Sequence, residues 1–266
     1  MAKAEGRGIQ SIEVGNRLLM ALMRSGSPMM LRDLAAEVDI GAAQAHAYLS
    51  SFRRTELVEQ EANSGRYILG PATNRLAMAR MGSFEPMARI NRAAPELARS
   101  LGVLVTLVVW GPQAPTAYQV HDSGQGLNIN LRPGTTFSVM SSASGRVFAA
   151  YDPSPAVEQR IQDEIAGSVA RGAGGAKTTK TGFARSIAGV RRCGYALLMG
   201  SPVPELGAVS APVMFDQKLA LAVTLVGPSA LIRETGPSSP RETLLRFASK
   251  AVVEDSDWSP PSTLLA

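Results

Sequence analysis

Cysteine is nearly absent: Cys193 is the sole one in 266 residues. That excludes a disulfide scaffold and any cysteine-rich zinc module, and it suits a reducing compartment. Histidine is almost as scarce. His46 and His121 stand far apart, so no histidine pair with ligand spacing exists, and neither a metal nor a cofactor is expected. Long apolar runs are missing as well. The run from Val103 to Trp110 is too short to cross a membrane and reads as a buried strand. No apolar stretch follows Lys3 and Arg7, so no signal peptide is expected, and a cytoplasmic, nucleoid-associated location is. Charge is sparse too, at 18% against 45% hydrophobic. This balance excludes a mainly disordered chain and supplies apolar material for one large or two modest domains.

The net charge of +5 allows an anionic partner without requiring one. Its distribution shows no basic arm or tail, since the first 80 residues hold ten Lys and Arg against eight Asp and Glu.

Apolar spacing organises the chain. Ile12, Leu18, Leu19, Leu22 and Met23 mark a first helix, and Ser25-Gly26-Ser27-Pro28 a turn. Leu31, Leu34, Ala35 and Val38 fall at i, i+3, i+4 and i+7, one face of a short second helix. Asp39-Ile40-Gly41 ends it, with Gly41 expected to supply the turn. A third helix is expected from Ala42 to Arg54, with Ala45, Tyr48, Leu49 and Phe52 inward. Two alternating runs, 57–61 and 66–70, flank Asn63-Ser64-Gly65 and predict a β-hairpin. Three helices and a hairpin make a winged helix-turn-helix over 1–70, a DNA-reading arrangement. Residues 71–83, opened by Pro71, predict a linker helix.

The pattern changes at 84. An amphipathic helix is expected over 84–101, then strands near 103–110, 115–121, 126–131 and 136–140. Helices follow from about Ser144, over 154–169 and over 181–193. Strands return at 195–200, 206–214 and 219–227, with a closing helix over 240–252. One antiparallel sheet with helices on its faces makes 84–253, and with it the whole chain, α+β. Residues 254–266 read as a loose tail. The Gly- and Ala-rich stretch 170–176 reads as a mobile loop.

In this order, several strings resemble the IclR family of bacterial transcription regulators. In the first domain they are Ser11-Ile12-Glu13-Val14-Gly15, Leu31-Arg32-Asp33-Leu34-Ala35, His46-Ala47-Tyr48-Leu49 and Tyr67-Ile68-Leu69-Gly70. In the second they are Gly134, Ser142-Ala143-Ser144-Gly145-Arg146, Val190-Arg191-Arg192-Cys193-Gly194-Tyr195-Ala196, Ser210-Ala211-Pro212-Val213 and Val226-Gly227-Pro228. The resemblance covers about 10–252. It implies a GAF-like effector-binding domain, operator DNA as partner, a small-molecule effector, and homodimers that pair into tetramers.

On the third helix, the outward positions Ala43, Ala47, Ser50 and Arg54, flanked by Gln44 and His46, are the candidate DNA-reading face. Gln44 suits a bidentate contact to adenine, and alanine methyls suit thymine. Arg53, Arg54 and Ser50 suit phosphates, which position rather than specify. Asn63 and Arg66 on the wing are further candidates, although Glu59 and Glu61 oppose them electrostatically. The chain departs from the family pattern here, which usually has Ser or Thr near 43–44 and Arg where Ala47 stands. An alternative is therefore a sensor or adaptor whose winged helix contacts protein.

The family resemblance places the effector at Met140, Ser142, Ala143, Ser144 and Gly145, with Met199, Gly200, Ser201, Ala208, Ser210 and Thr224 from facing strands. Small residues leading into a helix offer backbone N–H groups to a carboxylate. So apolar a lining with hydroxyls suits an aromatic or medium-chain organic acid. A third reading, a hydrolase using Ser144 and His121, is weak because Ser142 replaces the first glycine of a nucleophile elbow. The stretch 171–178 lacks the first glycine of a phosphate loop, since Arg171 stands there. Cys193 is expected in the core.

Overall fold

The computed structural model of the chain describes residues 8–124, 129–170, 180–200 and 203–250. Two compact units divide after Ser83. The first holds α1 (Gln10–Ser25), α2 (Leu31–Glu37), α3 (Ala42–Arg54), β1 (Val58–Gln60), β2 (Tyr67–Leu69) and α4 (Pro71–Ser83). Its core is Leu18, Ala21, Leu22, Leu34, Val38, Leu49, Val58 and Tyr67, with Tyr48 and Phe52 packed against it half-buried. α1 ends where Gly26 turns to φ 60 and its N–H caps the Leu22 carbonyl at 3.2 Å. α1 and α3 cross closely at Gly15, where a Cβ would stand 2.9 Å from Cζ of Phe52.

The turn between α2 and α3 differs from expectation. Asp39, not Gly41, takes the left-handed conformation, with φ 54. Gly41 is extended and is the N-cap residue of α3. Asp is among the few side chains that visit this region readily. The wing is an antiparallel pair, Val58 opposite Leu69 and Gln60 opposite Tyr67. Outside this ladder, Met29 forms an isolated bridge to Tyr67, exchanging both backbone hydrogen bonds with it.

α4 is tied to the end of α3. Glu56 sits at φ 58, its carbonyl accepts the Ala72 N–H at 3.0 Å, and its carboxylate pairs with Arg75. Ala72 is the buried residue of α4, whereas Leu76 is 62% and Met78 72% exposed.

The second unit is a five-stranded antiparallel sheet of order β4-β3-β7-β6-β5. Its strands are β3 (Leu104–Trp110), β4 (Pro115–His121), β5 (Ala196–Met199), β6 (Leu206–Phe215) and β7 (Lys218–Pro228). Its helices are α5 (Glu85–Leu101), α6 (Ala143–Tyr151), α7 (Pro155–Ala170), α8 (Lys180–Cys193), α9 (Ser229–Ile232) and α10 (Pro240–Lys250). α9 was not legible in the sequence.

Side-chain alternation sorts the sheet. Val108, Ala196, Ala208 and Ala222 face a core built from α6, α7 and α8, with Val147, Phe148, Ile161 and Ile187 against them. The other face meets α9: a Cβ on Gly207 or Gly227 would approach Ile232.

Two strand expectations fail. Residues 125–128 lie outside the described residues, and 129–131 and 136–140 form no strand. One bridge, Thr116 to Thr136, is all that 136–140 contributes. The reason is local: beyond Phe137 the backbone N–H groups turn to side-chain acceptors on Glu164 and Ser138 instead of to β4. The 170–176 stretch falls, apart from the end of α7, outside the described residues. Cys193 is exposed at the end of α8 rather than in the core, because Gly194 at φ 82 turns the chain before the buried Ala196.

Leu49 is fully buried where α3 meets the core. Leu49→Ala is expected to destabilise the first unit by about 2–5 kcal/mol, read as a lower urea midpoint for its transition.

Candidate nucleic-acid interface and effector site

The third helix of a winged helix-turn-helix acts by what it leaves outside. Burial of Ala45 and Leu49 aims the opposite side of α3 at solvent. Ala43, Gln44, His46, Ala47, Arg53 and Arg54 are exposed there, and Ser50 is half-buried. Arg54 Nη2 donates to Ser51 Oγ at 3.3 Å, which holds it along the helix. Arg53 and Arg54 also lie in the last turn, where the helix dipole favours cations.

The wing divides its two candidates. Asn63 is exposed at the turn. Arg66 folds back, with Nη1 donating to the Pro28 carbonyl at 3.3 Å. The turn is closed by Gln60 Nε2 donating to the Gly65 carbonyl at 2.8 Å and by Ser64 donating to Glu61 at 2.5 Å. Arg66 thus braces the wing against the α1–α2 turn, and Glu59 is exposed beside it.

In the second unit the start of α6 is built tightly. Ser142 is the N-cap, and its Oγ accepts the Gly145 N–H at 2.9 Å while donating to the Ser138 carbonyl at 2.6 Å. Ala143, Ser144 and Gly145 are buried. Gly145 is required by close approach: a Cβ would stand 2.2 Å from the Ser138 carbonyl oxygen and 2.5 Å from Cα of Val139.

The loop before α6 hangs on one carboxylate. Glu164, on α7, accepts from Ser138 Oγ at 2.6 Å, Val139 N at 2.9 Å and Met140 N at 3.0 Å, and pairs with Arg160 at 3.1 Å. Arg146 on α6 braces the same loop. Its Nε donates to the Met140 carbonyl and its Nη1 to Ser186 Oγ on α8, both at 3.1 Å. Burial pushes the Arg146 pKa down. Sequence reasoning missed Glu164, Arg160 and Ser186, which lie 20 or more positions from the loop and carry no local motif.

The sheet contributes a row of hydroxyls. Ser210 and Thr224 are opposite each other, as are Thr224 and Thr106. Thr224 donates to Ser210 Oγ at 2.8 Å, and Thr106 to the Thr224 carbonyl at 3.4 Å. All three are buried, and with Ala208 they share the α6 face of the sheet. Thr106 was not among the sequence candidates. Met199 does not join them. It pairs with Gly207 and lies on the α9 face, its Sδ 2.7 Å from where a Gly207 Cβ would be. The period-2 alternation that admits Ala208 and Ser210 sends Met199 the other way. Gly200 is an exposed turn residue at φ 66, and Ser201 lies outside the described residues.

Catalytic chemistry finds no support in the same geometry. Ser144 meets Ser142 Oγ at 3.3 Å, whereas the His121 ring meets Gln119 at 3.0 Å. Burial lowers the His121 pKa. Among the described residues no group of acidic, histidine or cysteine side chains is arranged to hold a metal, and no helix is long and apolar enough to cross a membrane.

A winged helix-turn-helix with an exposed third helix, followed by an α/β domain, is the architecture of a transcriptional regulator. The sequence model of the IclR helix-turn-helix domain matches residues 11–62, and that of the bacterial transcriptional regulator IclR C-terminal domain matches 83–252. The chain belongs to the IclR family, whose members regulate transcription by binding operator DNA and small-molecule effectors.

It is 29% identical over 255 residues to the glycerol operon regulatory protein of Streptomyces griseus, covering 94% of this chain and 97% of that one. Among solved structures it resembles HmgR of Pseudomonas aeruginosa, at 27% identity and a TM-score of 0.53, over 91% of this chain and 96% of that one. It shares the fold of an IclR family regulator from Brucella abortus, at 18% identity and a TM-score of 0.65, over 95% and 97% of the two chains.

Replacing the Glu164 carboxylate removes an acceptor that serves three donors of the loop. Glu164→Ala is expected to lower the stability of the second unit by about 2–3 kcal/mol, and Glu164→Gln by less, both read by chemical denaturation.

Proposed function

We propose that the chain is a ligand-responsive regulator in the cytoplasm that binds a pseudo-palindromic operator as a dimer, with a small organic or aromatic acid as effector. The observation that carries the DNA reading is the exposed face of α3, where Gln44 and His46 stand beside Arg53 and Arg54. Gln44 with the flanking Ala43 and Ala47 reads bases, Ser50, Arg53 and Arg54 hold phosphates, and Asn63 approaches from the wing. Arg66 supports the wing from behind, and reaches DNA only by giving up Pro28.

The exposed Leu76 and Met78 on α4 support pairing of two copies through that helix. Two-fold symmetry then presents two α3 helices to related half-sites, and pairing of dimers gives the tetramer. The effector lies between the start of α6 and the sheet face carrying Ala208, Ser210 and Thr224, near Met140, Ser142, Ala143, Ser144 and Gly145. Its binding changes the spacing of the two α3 helices, by no more than its affinity differs between the two arrangements.

One observation favours a second reading. Two of the outward α3 positions are alanines, Ala43 and Ala47, and the wing exposes Glu59. A protein-contacting winged helix would use such a surface.

Salt separates the two. In gel-shift titration with DNA upstream of neighbouring genes, affinity is expected to fall about a thousandfold between roughly 50 and 200 mM salt, given about six phosphate contacts. Absence of retardation at low salt by folded protein sinks the DNA reading. Gln44→Ala is expected to weaken operator binding by about 1–3 kcal/mol per half-site while leaving random-sequence binding unchanged. Leu76→Glu is expected to shift the dimer toward monomer in analytical ultracentrifugation.

A further inference from the structure

We propose that Arg146 and Ser186 form a carboxylate-binding site in the second unit, and that this site takes the acid group of the effector. The inference rests on the effector reading above and adds to it the residue that recognises the charge.

The argument starts from charge pairing. Drawing a charge out of water is costly unless an opposite charge and hydrogen bonds compensate it. The other partly buried arginines in this unit obey that rule: Arg89 meets Glu85 at 2.9 Å, Arg160 meets Glu164 at 3.1 Å and Arg241 meets Glu242 at 3.3 Å. Arg146 is half-buried, yet its recorded partners are a carbonyl and a hydroxyl, both neutral. No carboxylate of the described residues lies within ion-pair distance of it. Its pKa is depressed by burial, with no acidic neighbour acting against that.

Geometry names the anion. Nε and one Nη1 hydrogen are used by Met140 and Ser186. The Nη2 amine and the second Nη1 hydrogen have no partner among the described residues. Together they leave the guanidinium donors for both oxygens of a carboxylate. Ser186 accepts from Arg146 and keeps its own O–H to donate to the same anion. The Met140 backbone, which Arg146 grips, is part of the candidate effector segment, and Arg146 follows Gly145 directly on α6. An acid bound here joins α6, the Glu164-held loop and α8 through one guanidinium.

The test measures thermal unfolding of the full chain near neutral pH, at constant ionic strength, with sodium benzoate, sodium acetate, sodium phosphate or sodium chloride. Benzoate is expected to raise the midpoint of the wild type saturably, acetate less so, and phosphate no more than chloride. Arg146→Met is expected to weaken benzoate binding at least about tenfold, and Ser186→Ala several-fold. If Arg146→Met binds benzoate as the wild type does, the inference falls and the effector reading survives with its acid group elsewhere. If the wild type responds to none of the carboxylates, both fall. A response to phosphate alone overturns the assignment in favour of an inorganic anion. Should Arg146→Met not fold, Arg146→Lys keeps the charge without the fork. Undiminished benzoate affinity in both Arg146→Lys and Ser186→Ala then overturns the inference.

Discussion

Leu49 has no exposed surface, and its burial decides what α3 can offer to anything else. A helix of 13 residues makes fewer than four turns. Once Leu49 is seated with Leu18, Leu34 and Val58 and Ala45 is buried on the same side, the angular position of every other side chain follows. Gln44, His46, Arg53 and Arg54 are outside because those two are inside. The close crossing at Gly15, where Phe52 lies against the bare α-carbon, sets the height of α3 on α1. What this helix presents to solvent is therefore a consequence of core packing.

The second unit applies the same logic to a sheet and adds an electrostatic device. Alternation selects Ala208, Ser210, Thr224 and Thr106 for the α6 face and removes Met199 from it. The segment that closes over that face has no ladder of its own. Its amides are collected by Glu164, and its last carbonyls by Ser142 and Arg146. Charged hydrogen-bonding groups here replace the strand pairing that apolar content alone predicts for 136–140. The segment is held by side chains of Glu164 on α7, Ser142 at the start of α6 and Arg146 on α6, and Arg146 is in turn joined to Ser186 on α8.

What the sequence made legible follows from how local the cause is. The helix pattern in 42–54, the Pro71 start of α4 and the two runs around Asn63-Ser64-Gly65 are written in neighbouring residues, and their bounds emerge within a residue or so. The missed features join residues far apart in the chain. Glu164 acts on Met140 from 24 positions away and Ser186 on Arg146 from 40. The fate of Met199 needed the strand register, since one position of slip exchanges the faces. Asp39 was missed for another reason: glycine two positions later is the stronger turn signal, and only the geometry shows that the aspartate carries the positive φ.

The link between Glu56 and α4 bears on how a regulator of this class is coupled. Glu56 directly follows the last turn of α3, and it holds Ala72 by its carbonyl and Arg75 by its carboxylate. Residues 56–75 are thus closed into a loop, and α4 is tied to the segment that follows α3. Under the proposed reading, an effector need not deform the winged unit. Biasing the pairing of the two α4 helices would act on the α3 helices through the Glu56 contacts. The cost falls on the α4 pair, whose exposed Leu76 and Met78 form a small apolar surface. A small surface supplies a modest interaction energy, and a modest energy is what a metabolite of few atoms can outweigh.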